Sequence, residues 1–191
     1  MNDFLPKDYD KNEKLNDTGS GYMKFEQGEN KFRILASAIV GWEWWEDKPD
    51  GTRTPKRVKI DEKIDISKLA DPDSVKRFWA FPVWNYKLEK IQILEVTQKG
   101  IQATIRGLSK SSDWGTPIGY DLSVIKEGEK LLTKYEVVPS PPKPLDKEID
   151  SEFKSMYLNL EALKKGDDPF KKEISNEEAD TVASTIASNT G

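Results

Sequence analysis

A chain of 191 residues, 36% hydrophobic and 34% charged, has room for one ordinary globular domain plus tails. It has no cysteine and no histidine, which excludes disulfides, thiol nucleophiles, thiolate or imidazole zinc sites and every imidazole-dependent triad. The net charge of −4 is uneven: residues 1–27 sum to −2, residues 28–145 to +3 and residues 146–191 to −5, so a mildly basic centre lies between acidic ends.

No apolar run approaches the ~20 residues that a spanning helix needs. The N-terminus, MNDFLPKDYDK, lacks the charged-then-apolar order of a signal peptide, and a cytoplasmic location is expected. Residues 1–21 are polar and turn-rich, with too little apolar surface to offset the entropy of ordering, and are predicted to form a flexible arm. Residues 22–30 read as a short lead-in strand and a turn. Lys31 to Val40 alternates as a first long strand and runs into Gly41-Trp42-Glu43-Trp44-Trp45-Glu46. In an extended chain Trp42 and Trp44 project together and Trp45 takes the opposite face, unless Gly41 marks a bulge.

Three tryptophans in four residues either pack in the core or form a stacking platform. The next stretch, Lys48 to Lys59, adds five basic groups, one acid, two prolines and a glycine, and is predicted to be mostly an irregular basic loop. A charge run is most often only solvated surface. Aromatics beside cations are nevertheless the pair that an unpaired nucleic-acid strand requires: charges that track phosphates, and rings on which bases stack at ~1–3 kcal/mol each.

Residues 60–77 form an acidic connecting excursion. Phe78 to Tyr86, dense in aromatics, reads as a strand; Lys87 to Lys90 turns the chain, and Ile91 to Val96, apolar on both sides, reads as a central strand. Alternation puts Trp79 and Phe81 on one face and Phe78, Trp84 and Tyr86 on the other; we take the first pair as core and Trp84 and Tyr86 as outward. Ile101, Ile105 and Leu108 share a helical face within 98–109, with Thr97 as its N-cap. A turn-rich loop with Trp114 follows, then strands at 118–125 and 134–138. Pro139 to Pro144 holds four prolines and ends the sheet as a linker over 139–145. Residues 146–165 have helical spacing with Gly166 past their end, the acidic Asp167-Asp168-Pro169-Phe170 motif follows, and residues 171–191 are predicted to be mostly disordered.

The element count predicts a mainly β domain over residues 22–138: a five-stranded oligonucleotide-binding barrel with one interposed helix, followed by a C-terminal helix. The residues also resemble a family. Asn30-Lys31-Phe32-Arg33-Ile34-Leu35 with Gly41-Trp42-Glu43-Trp44, Phe78-Trp79-Ala80-Phe81 with Val83-Trp84-Asn85-Tyr86, Ile91 to Glu95, Asp113-Trp114-Gly115, Gly119-Tyr120-Asp121 and Pro141 to Leu145 together look like the single-stranded DNA-binding proteins of tailed phages, over roughly residues 22–170. More distantly, the order of strands and helix is similar to the core of the T-even-type helix-destabilising protein. That relative has a zinc site made by cysteines and histidine; this chain has neither residue, so the subdomain bearing it is missing or replaced.

The resemblance implies a non-catalytic protein, without cofactor or metal, that coats single-stranded DNA during phage replication and recombination in the host cytoplasm. Partner proteins would be recruited through Asp167, Asp168 and Phe170, similar to the acidic Pro-Phe tip of bacterial single-stranded DNA-binding proteins but internal in this chain. The alternative for Phe170 is a turn that packs it back on the preceding helix. Phosphates would meet Arg53, Lys56, Arg57, Lys59 and Arg77, with Lys76 beside them, and bases would stack on Trp42, Trp44, Trp45, Trp84 and Tyr86. Two other readings stand beside this one. Asp61, Glu62, Asp65, Asp71 and Asp73 are the carboxylates that a metal-dependent nuclease would use. A protein-interaction or adaptor module would use the same barrel for protein contacts.

Overall fold

A computed structural model describes residues 21–172. The predicted arm before Gly21 and the tail beyond Lys172 lie outside the described residues. Eight strands, β1 (Tyr22–Met23), β2 (Gly28–Ile34), β3 (Ile39–Asp47), β4 (Arg53–Lys59), β5 (Lys76–Asn85), β6 (Lys90–Val96), β7 (Asp121–Glu127) and β8 (Lys134–Pro139), make one sheet. Helix α1 (Lys99–Lys110) lies between β6 and β7, and α2 (Lys147–Ser155) and α3 (Ala162–Lys165) follow the sheet.

The order is β1-β6-β5-β2-β7-β8, with β3 beside the first half of β5 and β4 on the outer side of β3. All ladders are antiparallel except the short one between β1 and β6. The fold is therefore mainly β, but the sheet is open and has eight strands rather than five: among the described residues no ladder joins β8 to β6 or β1. The single long first strand expected from alternation is also two strands. β3 pairs with residues 76–80 of β5 and β2 with residues 83–85, and the break falls opposite Pro82. Proline has no N–H to continue a ladder, and its carbonyl instead accepts from Leu35 N at 2.9 Å.

The predicted irregular loop at 48–59 is largely strand. Residues 53–59 pair with all of Gly41 to Asp47, and Lys48 to Thr52 is the turn of a long hairpin. Sequence alone missed this because Pro55 argues against a strand, yet β4 is an edge whose outer side needs no donor. Gly41 makes no bulge and keeps the register. A Cβ there would sit 2.2 Å from Val58 O and 2.6 Å from the Phe78 ring, so the close approach of β3 to its neighbours requires glycine.

Both faces of the central strands are covered, as the apolar character of Ile91 to Val96 predicts. On one face Phe32, Ile34, Phe81, Val83, Leu94, Val96, Leu122 and Val124 pack with Ile101 and Ile105 of α1. The helix is pinned where Gln102 Nε2 donates to Val96 O (2.7 Å) and Arg77 O (2.9 Å). On the other face Phe78, Ala80 and Ile93 lie under Leu158, Leu160, Leu163 and Phe170, and Leu35 and Ile91 under Leu145, Ile149 and Phe153.

The predicted single helix over 146–165 breaks into α2 and α3, joined by residues 156–161. Asp146 caps α2 by accepting from Glu148 N, and Gly166 ends α3 at φ +79°. The proline-rich linker is anchored to the sheet. Arg33, buried in β2, donates to Ile118 O, Lys143 O and Asp121 Oδ1, while Lys143 Nζ lies 2.8 Å from Asp121 Oδ2.

Candidate functional site

The residues predicted to form one binding surface separate into three places. Cross-strand pairing puts Trp42, Trp44, Lys56 and Arg77 on one face of the β3–β4 hairpin, and Trp45, Arg53, Arg57 and Lys59 on the other. Trp84 and Tyr86 lie at the far end of β5.

Neither of those last two is an outward stacking platform, and that expectation is corrected. Trp84 packs on Leu35, Ile91 and Ile149 beneath α2, because the C-terminal segment covers the face assigned to solvent. Tyr86 donates its hydroxyl to Asp121 Oδ1 at 2.9 Å, and the Lys31 and Lys143 ammonium groups lie 5.2 and 5.6 Å from its ring centroid. Burial alone would push the Asp121 carboxyl up, but hydrogen bonds from Lys143, Tyr86 and Arg33 together hold it below the ordinary Asp range. This cluster clamps β2, β7 and the proline-rich stretch together. Phe81 is core as expected, and Trp79 is half-buried against the apolar core beneath α1.

On the first hairpin face Trp42 is committed locally. Its Nε1 donates to Ile60 O (3.1 Å), the Arg77 guanidinium stacks 5.4 Å from its ring, and Ile64, Ile66 and Val75 of the 60–75 excursion lie around it. Trp44 is half-buried, with Nε1 donating to Glu46 Oε1 (3.0 Å).

The second face is different. Trp45 is 45% exposed and overhangs a cleft of about 590 Å³, which Tyr22, Phe25, Tyr135, Leu94 and Met23 also line. The cleft exists because the sheet is open. β1 adds only two residues to the edge of β6; the chain then crosses the gap through Lys24 to Gln27 and joins β7 at Gly28. Phe25, carried across that gap, packs 5.9 Å from the Tyr135 ring of β8 and 6.5 Å from Phe32. Three half-buried rings and one exposed indole thus come together from three distant segments.

Arg57 belongs to the wall of this cleft, not to its free cations, which corrects its assignment as a phosphate ligand. Its Nε donates to Glu43 Oε2 and its Nη2 to Glu95 Oε2, both at 2.7 Å, and its guanidinium lies 5.8 Å from the Phe78 ring. All three charges are largely buried. Burial pushes the Glu95 carboxyl up, and Arg57 opposes that only in part. Charge at the rim is looser. Arg53 pairs with Asp47 at 2.9 Å, both exposed, and Lys24, Lys59 and Lys76 are exposed and form no ion pair among the described residues; the exposed Lys56–Glu46 pair, at 3.8 Å, lies on the opposite hairpin face. Exposed pairs are worth only ~0.2–1 kcal/mol, so Arg53 can exchange its carboxylate for another anion at small cost.

The acidic motif folds back beside the cleft. Phe170 stacks edge-on to Tyr22 at 6.4 Å and fills the space a Cβ on Gly21 would need, Asp168 Oδ1 accepts from Phe170 N, and Asp167 is exposed. Phe170 is therefore a packing residue and not a free plug for a partner. Among the described residues no three carboxylates converge as a metal site, and Asp65 instead accepts from Ser67 and pairs with Lys68.

Sequence reading missed Tyr22, Phe25 and Tyr135. Each sits in a short segment whose own pattern looks like ordinary strand, and the only available signal was that all three are aromatic. The chain matches no protein-family model, no curated protein and no solved structure.

Proposed function

We propose that this chain binds single-stranded DNA without catalysis and without reading its sequence, holding bases in the open-edge cleft and phosphates along its rim. The observation that carries this is the half-exposed Trp45 over a cleft walled by Tyr22, Phe25 and Tyr135. Indole and phenol rings offer π-faces that any base can stack on, and such contacts are sequence-tolerant for that reason. Lys24 in the cleft, and Arg53 and Lys76 in the adjoining pocket that shares Trp45, supply exposed charge, while the Glu43–Arg57–Glu95 set holds the wall in place.

The path of the chain supports the same reading. Taking β2 and β3 as one interrupted strand, the order β2/β3, β5, β6, α1, β7, β8 follows the connectivity of a partly open oligonucleotide-binding barrel. In such barrels ligands lie between the loop after the first strand and the loop between the last two. Here those are the β3–β4 excursion and residues 128–133, and the cleft lies between Trp45 of the one and Tyr135 beside the other. On this reading the protein protects transient single strands during phage replication or recombination.

Titration of the intrinsic tryptophan fluorescence with a thymidine oligomer, and with a duplex control, at low and high salt tests the proposal. Quenching by the single strand that weakens steeply with salt is expected, with little change from the duplex. An unaltered signal, or binding indifferent to salt, would leave the cleft to a protein partner instead.

A further inference from the structure

The loop between β7 and β8 carries an exposed apolar pair. Residues 128–133 join β7 to β8, and at their tip Leu131 is 101% and Leu132 78% exposed, the two most exposed large apolar residues among those described. The loop displaying them is closely built. Leu132 N donates to Glu129 O and Thr133 N to Lys130 O, Thr133 Oγ1 bonds Lys130 O at 2.9 Å, and Gln27 Nε2 donates to Gly128 O at 2.6 Å. Lys130 adopts φ +52°, and Gly128 has φ +77° with no room for a Cβ against Leu132 O. A turn with this much hydrogen bonding and a left-handed non-glycine residue has a defined shape, yet it directs two leucines into water.

We infer that Leu131 and Leu132 extend the nucleic-acid interface, inserting as an apolar wedge between two successive bases of a strand lying in the cleft. The inference rests on the single-strand reading above. Three observations favour nucleic acid over a protein occupant. The tip adjoins the cleft: Tyr135, a wall residue, lies three positions beyond Leu132, and Gln27, which holds the loop, lies two beyond the wall residue Phe25. Lys130 and Lys134, exposed and without ion pairs among the described residues, flank the leucines where a phosphate on either side of an opened base step would lie; Glu129 is the loop's one acid. Finally, two side chains offer far less than the ~800 Å² per partner of a stable protein interface, but suffice to cover base faces. Apolar wedges of this kind unstack the step they enter.

The absence of cysteine makes the test direct. Leu131→Cys carrying a benzophenone, irradiated with a thymidine oligomer, is expected to form a covalent adduct with the DNA, whereas the same label on Ser151→Cys, exposed on α2, is not. The double variant Leu131→Ser/Leu132→Ser alters only exposed side chains and keeps the fold. It is expected to bind the oligomer roughly tenfold more weakly with an unchanged salt slope, since apolar contacts release no counterions. A 2-aminopurine flanked by adenines should brighten on binding to the native chain and stay dim with the double variant. Equal affinity and brightening for both proteins, or no adduct at position 131 with an oligomer that quenches the tryptophans, would overturn the wedge and leave the cleft standing. An oligomer that quenches nothing would overturn both.

Discussion

Trp45 and Arg57 are two positions apart in register on one hairpin face, yet the structure treats them oppositely: Trp45 is left half-exposed over the cleft, and Arg57 is paired into its wall. Trp45→Ala is expected to weaken single-strand binding by ~1–3 kcal/mol, the value of one stacked base, with little effect on the unfolding midpoint, because the side chain is half in water. Arg57→Ala should do the reverse of a simple phosphate ligand. It leaves Glu43 and Glu95 buried beside each other without a cation, and a loss of ~3–5 kcal/mol in urea unfolding is expected. A variant that folds normally and only flattens the salt slope would return Arg57 to the rim.

Two carboxyls set opposite pH responses at this same scale. Glu95 is shifted up by burial, so its contribution to stability is fully present below its unfolded-state pKa and is lost as pH rises through its folded value. Asp121 is held down against the upward push of burial by Lys143, Tyr86 and Arg33, so its contribution is present above the unfolded value and is lost as pH falls through the folded one. Unfolding free energies across acidic pH should therefore fall at the lowest pH in the native chain but much less in Asp121→Asn. On the other side, the native chain should gain relative to Glu95→Gln as pH drops through the Glu95 titration.

Among elements, the β3–β4 hairpin is the one on which the site depends, and Gly41 sets its approach to β5. Gly41→Val is expected to destabilise by several kcal/mol, on the order of the worst overpacking cases, since the obstacles are the Val58 carbonyl and the Phe78 ring rather than flexible side-chain ends. The hairpin should then detach, and single-strand affinity should fall with it. The C-terminal segment is a second such element. Phe170→Ala removes a ring packed on Tyr22, Leu163 and Ile93, and limited proteolysis is expected to cut residues 156–172 faster than in the native chain. Unchanged cleavage would mean that the segment is held by α3 alone.

For the whole molecule, most of what builds the sheet was legible in the sequence. The strands read at 91–96 and 134–138, the helix at 98–109 and the opposite directions of Trp44 and Trp45 all follow from periodicity of 2 or 3.6, a local property. So do the Gly166 stop and the burial of both faces at 91–96. The hairpin strand at 53–59 was hidden by Pro55, whose compatibility depends on whether β4 is an edge, and the helix break after Ser155 interrupts a spacing that looked continuous. Pairing order decided the rest. Alternation says that Trp79 and Trp84 face opposite ways but not which side the C-terminal segment will cover. Charge content shows that Arg57 is a cation but not that two carboxylates, fourteen and thirty-eight residues away, converge on it. The aromatic and basic composition by itself supplied the residue types on which the proposed single-strand binding rests, because stacking and charge are properties of residue types. Only the tertiary structure decided where, because an open edge between β6 and β8 is a relation between strands far apart in sequence, and it alone brings Tyr22, Phe25 and Tyr135 beneath Trp45.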